Sequence, residues 1–180
     1  MIKNIAVYCA ASNRIDSIYF NETEVLGKML GQRDIHIING AGNIGLMRAI
    51  TDAALSAGGK VTGVIPGFMV DRGLCHSRLT AVIQTQTMHE RKKCMADLSD
   101  AVIALPGGYG TLEELLEIIT WRQLGLYKNP VIILNTNNFY GLLLEMFSRI
   151  VSEKFVRDEH TQLWHVAQTP REVIDLIDRL

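Results

Sequence analysis

The chain has few of the residues that would point to a metal, a disulfide framework or a membrane. Its three cysteines, Cys9, Cys75 and Cys94, are odd in number and far apart. They fit reduced thiols of a cytoplasmic protein, and neither a disulfide framework nor a zinc site. The five histidines, His36, His76, His89, His160 and His165, never recur at the H-x-x-x-H spacing, so no metal is expected. No apolar run approaches the roughly 20 residues that span a bilayer. The segment from Ile2 to Cys9 leads straight into polar Ser12-Asn13-Arg14, which reads as a first β-strand and not as a secretory signal. The formal net charge is only −1, so no long-range field favours nucleic acid or an anionic membrane. There is no internal repeat, low-complexity tract or linker, and residues 1–180 suit one domain.

What is present is alternation. β-rich runs lie at Ile5–Cys9, Ile35–Ile38, Val61–Ile65, Ala81–Gln84, Ala101–Leu105 and Val131–Leu134. Helical periodicity falls at Tyr19–Leu30, Leu46–Leu55, Leu112–Leu124 and Tyr140–Val151, and a further helix opens at Met88. A last helix starts at Pro170, with Thr169 as N-cap and Glu172 three residues on. Apolar strands alternating with amphipathic helices predict a Rossmann-like, doubly wound α/β domain with a parallel sheet covered on both faces. Ligands of such folds bind at the carboxyl ends of the strands. The loops Ala10–Arg14, Asn39–Asn43 and Pro106–Gly110 are the candidates there.

The most informative loop is Pro106-Gly107-Gly108-Tyr109-Gly110-Thr111, between an apolar run and a helix. Glycines let the main chain approach a ligand closely, and a helix N-terminus offers unpaired N–H groups to an anion. Glu113 and Glu114 follow at once, and acid so near a phosphate cradle suggests chemistry on the bound molecule. A structural alternative is a capping box, Thr111 at the N-cap and Glu114 reaching back to it. The stretch Gly40-Ala41-Gly42-Asn43-Ile44-Gly45 matches G-x-G-x-x-G, but no acid follows the next strand until Asp71, which disfavours a dinucleotide. Gly40 and Gly42 fit a second loop closing around a mononucleotide, or a tight turn only. In Met88-His89-Glu90-Arg91-Lys92-Lys93, the planar fork of Arg91 suits a phosphate or carboxylate, while Lys93 reads as a solvated face.

The residues from Met88 to Lys92, from Leu105 through Gly107-Gly108-Tyr109-Gly110-Thr111 to Glu114, and Thr120-Trp121 resemble the lonely-guy (LOG) family of cytokinin-activating phosphoribohydrolases. Gly45-Leu46-Met47 and Gly63-Val64-Ile65-Pro66 resemble it too, and the likeness spans nearly the whole chain. The resemblance implies a Rossmann-like homodimer or larger assembly. It implies hydrolysis of the N-glycosidic bond of adenosine 5′-monophosphates, N6-modified ones included, to a free base and ribose 5-phosphate, without metal or redox cofactor. It places catalysis on Arg91 and Glu114, and substrate contacts on Lys92, on Gly108 through Glu114 (with Glu113 among them) and on Thr120. Gly107, Ser12 and Gly42 join the substrate set from the loop reading above. Two positions depart from the family: Ala10-Ala11 where Gly-Ser is usual, and Gly73 where a substrate-binding glutamate is usual.

Two other readings compete. One is a non-catalytic nucleotide or cofactor carrier on the same fold. The other is a pyridoxal-phosphate lysine decarboxylase, the label such sequences often bear. That would need a buried Schiff-base lysine, and none of Lys3, Lys28, Lys60, Lys92, Lys93, Lys128 and Lys154 shows such a setting in the sequence.

Overall fold

The structure, a computed structural model, describes residues 2–180. Its strands are β1 (Asn4–Tyr8), β2 (His36–Asn39), β3 (Val61–Pro66), β4 (Ala81–Thr85), β5 (Ala101–Ala104), β6 (Val131–Leu134) and β7 (His165–Ala167). Its helices are α1 (Ser17–Gln32), α2 (Gly45–Ser56), the short α3 (Gly67–Asp71), α4 (Met88–Asp97), α5 (Tyr109–Gln123), α6 (Gly141–Ser152) and α7 (Pro170–Arg179). All neighbouring strands pair in parallel, in the order β4-β3-β2-β1-β5-β6-β7. This is the doubly wound, Rossmann-like sheet that the alternation predicts. The chain runs outward from β1 in one direction and from β5 in the other, so the switch point lies between them.

Alternation within β1 divides the core. Ile5 and Val7 point to one face, with Leu26, Leu30, Leu46, Ile50 and Ile174 of α1, α2 and α7. Ala6 and Tyr8 point to the other, with Met95, Leu115, Ile118 and Phe147 of α4, α5 and α6. Local chemistry fixes where these helices start. Asp16 caps α1 by accepting from the Ile18 N–H at 2.9 Å. Thr87 caps α4 by accepting from Glu90 at 3.1 Å. Thr169 caps α7, with Pro170 in the first turn, as its sequence predicts.

Two details differ from the sequence reading. The strand β7 has three residues, too few for a period-two pattern to be seen. The sheet is not covered on both faces throughout, because edge strand β4 is mostly exposed. The crossover from β3 to β4 carries only the five-residue α3, too short to shield it.

Candidate active site

The carboxyl end of β5 leads directly into the glycine loop and α5. Gly108 is the N-cap of α5 and Tyr109 its first residue, with no side chain capping the end. Among the described residues, the N–H groups of Gly107, Gly108, Tyr109, Gly110 and Thr111 donate to no protein acceptor. A Cβ added at Gly108 or Gly110 would meet nothing within 4 Å. The chain itself therefore does not demand glycine there, and the bare backbone faces open space. Gly107 is different: a Cβ would come within 2.1 Å of the Thr111 Oγ1. The loop is thus folded tightly on Thr111, which is buried.

This overturns the capping-box reading. Thr111 sits inside the first turn of α5, packed on Gly107, and not at its N-cap. Glu114 turns across to α4 instead. Its Oε1 accepts from Arg91 Nη1 at 2.9 Å, with only 7% of the arginine side chain and 11% of the glutamate side chain exposed. Arg91 Nε donates to the carbonyl of Val64, on β3, at 3.0 Å. Burial raises the Glu114 pKa above the usual carboxylate range, although Arg91 pulls the other way. Glu114 thus carries a raised pKa beside five unpartnered amides.

Lys92 lies on the seam between α4 and α5. Its buried ammonium is engaged by Glu113 and by Glu117, the latter at 3.1 Å. Burial opposes its charge, but the two carboxylates outweigh that and raise its pKa. It is a protonated tie between helices, the wrong state for a Schiff-base nucleophile. Lys93, by contrast, is solvent-exposed and paired with Asp97.

The structure gathers part of the proposed substrate set. Ser12, Gly107 and Gly108 line one small notch of about 250 Å³, with Ala10, Ile15, Tyr19, Pro106 and Phe139. Others stand apart. The Tyr109 side chain is 93% exposed and points away from the core. Thr120 is exposed about three turns further along α5, its hydroxyl donating to the Leu116 carbonyl at 2.8 Å. Gly42 donates its N–H to Met47 Sδ at 3.0 Å. The second glycine loop does not form a second anion cradle at α2. The Gly45 N–H donates to Asn13 Oδ1 at 2.8 Å, and those of Leu46 and Met47 donate to the Ala10 carbonyl at 2.9 and 3.3 Å. Gly45, at φ +64°, lets the loop pack against the one that follows β1.

Asn13, Val64 and Glu117 are the site's unforeseen members. The helix start at Thr87-x-x-Glu90 was available in the sequence as a capping signal for α4. The backbone carbonyl of Val64 left no such trace.

Fold and site together define a Rossmann-like α/β protein whose switch point carries a free helix N-terminus beside a buried arginine–glutamate pair. A family model described as "Possible lysine decarboxylase" matches residues 47–177. The chain is 40% identical over 176 residues to the probable cytokinin riboside 5′-monophosphate phosphoribohydrolase LOGL2 of Oryza sativa subsp. japonica, covering 98% of this chain and 72% of that protein. It is 42% identical over 172 residues to the cytokinin riboside 5′-monophosphate phosphoribohydrolase LOG of the same plant, covering 96% and 71%. The molybdenum cofactor binding protein from Rippkaea orientalis superposes with a TM-score of 0.77 at 22% identity, covering 99% of this chain and 97% of that one, a likeness of fold. The chain belongs to the LOG family.

Proposed function

We propose that this protein is a phosphoribohydrolase that cleaves the N-glycosidic bond of adenosine 5′-monophosphates, N6-modified ones included. The carrying observation is one helix end that presents five free amides and, one turn on, a buried carboxylate held by Arg91. The names of the LOG relatives support the same reading. The 5′-phosphate is received by the amides of Gly107–Thr111, with the Ser12 hydroxyl alongside. The ribose then extends toward Glu114. As the C1′–N bond lengthens, positive charge spreads over the ribose ring, and the Glu114 carboxylate balances it. Water adds its hydroxyl to C1′ and gives its proton to Glu114, while the purine leaves with the C1′–N electron pair and takes one proton from solvent, the proton on Glu114 returning to solvent in turn. Arg91 aims the carboxylate and offsets negative charge on the leaving base. No step calls for a metal or redox cofactor.

A pure carrier is disfavoured by Glu114 itself, since a carboxylate beside a phosphate weakens binding of the anion. The deciding experiment incubates the purified protein with AMP and, separately, with adenosine, and follows adenine by chromatography. Adenine from AMP and little from adenosine supports the reading; tight AMP binding without adenine overturns it.

The protein acts as a homodimer or larger homo-oligomer in this proposal. Leu112, Leu116, Thr120 and Leu124 recur every fourth residue along α5, and Leu124 is 63% exposed. Tyr127 lies in the core and Trp121 packs against it. Thr120 lies about 120° around α5 from Glu114 by helical geometry. It reaches a substrate most simply in the site of a second copy. A cytoplasmic location accords with the free thiols of Cys9, Cys75 and Cys94.

A further inference from the structure

We propose that Gly40 is a positioning residue that acts through Arg91, by leaving vacant the space its guanidinium occupies. The inference rests on the placement of Arg91 in the active site. Gly40 follows β2 at the carboxyl edge, and its own φ lies outside the left-handed region, so backbone conformation does not call for glycine. Space does. A Cβ at Gly40 would lie 1.7 Å from Arg91 Nη2 and 2.9 Å from Cζ, with Met47 Sδ at 3.1 Å on the other side. The guanidinium has no slack with which to yield. Nε is spent on the Val64 carbonyl and Nη1 on Glu114, and the side chain is nearly enclosed. Relief by even a small shift takes Arg91 off one or both partners. Its planar fork is held on three sides, by a strand carbonyl, a carboxylate and a missing side chain. The first glycine of the G-x-G-x-x-G stretch thus serves the arginine, not a phosphate.

The test is a double-mutant cycle of Gly40→Ala and Arg91→Ala, reading melting temperature and adenine release from AMP on each preparation. Gly40→Ala alone should lower kcat by about 10²-fold, the scale of a misplaced catalytic group, and lower the melting temperature. Added to Arg91→Ala, it should cost no further turnover and only a small part of that melting-temperature loss, because the guanidinium is gone and only Met47 Sδ, at 3.1 Å, stays close. Equal losses in both backgrounds, or full activity of Gly40→Ala alone, would overturn the proposal. If Gly40→Ala alone fails to fold, a folded double variant with a melting temperature near that of Arg91→Ala upholds it, and a double variant that is unfolded where Arg91→Ala folds defeats it. If the wild type releases no adenine, the proposed function fails, and the melting-temperature cycle still decides the role of Gly40.

Discussion

The hydroxyl of Tyr140 donates to the carbonyl of Leu105 at 2.6 Å, so the N-cap residue of α6 holds the last residue before the glycine loop. Tyr140 is fully buried, and its own N–H donates to Asn135 Oδ1 at 2.7 Å. On the other side of the loop's base, Leu105 donates to the Tyr8 carbonyl at 2.8 Å and Pro106 accepts from Ala10 at 3.2 Å. The cradle therefore springs from a base fixed by both neighbouring strands.

Tyr140→Phe keeps the ring and deletes the bond. Thermal unfolding should show a loss of about 1 kcal/mol. The loop's preference for phosphate should weaken too, with KM for AMP rising about 3- to 10-fold, the equivalent of about 1 kcal/mol. Unchanged KM together with a lowered melting point would confine Tyr140 to stability.

Glu114→Gln retains an acceptor for Arg91 but removes the charge that Arg91 faces. Stability near neutral pH should change by less than about 1 kcal/mol, because burial already disfavours the ionised carboxylate and the amide keeps the acceptor. Turnover should fall by about 10²-fold or more, since the amide takes no proton from water. AMP binding, measured by calorimetry, should persist or tighten. A glutamine variant with normal turnover would remove Glu114 from the mechanism.

The acid limb of kcat/KM should lie above the ordinary glutamate value of about 4.3, because burial raises Glu114 and the base acts only when ionised. The effect on stability has the opposite sign. A carboxyl raised in the folded state adds stability below its unfolded pKa, and that increment is lost as pH rises through the folded value. Rate profiles and melting curves between pH 4 and 8, compared with Glu114→Gln, should diverge in that sense. An acid limb at or below the ordinary glutamate value would contradict it.

Leu116→Asp combined with Leu124→Asp should leave the fold intact, as both positions are exposed. Light scattering at micromolar concentration should find the wild type at twice the chain mass or more, and the double variant at one chain. A wild type of one chain mass would end the assembly proposal.

The fold was legible in the sequence wherever period and length agreed, which left out the three-residue β7 and the five-residue α3. Val131–Leu134 is an apolar run with turns on either side, and Thr169-Pro170-x-Glu172 announces its helix. The chemistry-bearing residues were legible as types: glycines before a helix, an arginine at a helix start. Their contacts were not. Arg91 meets the Val64 carbonyl across 27 positions and Glu114 across 23, and only the packing of α4 against β3 and α5 creates either. The cap of α5 was misplaced because Thr111 favours an N-cap intrinsically, whereas here Gly107 gives it a berth within the first turn.

The closure of α2 by Asn13 and Ala10 also bears on how much negative charge the crevice can take up. Two glycine stretches border it, but of the two helix ends they lead into, only that of α5 still has amides to give. A lengthening polyphosphate would find no second helix N-terminus along this edge. On the proposed reading the edge offers one helix end to a phosphate, and the same asparagine that rivets the first two loops together closes the other.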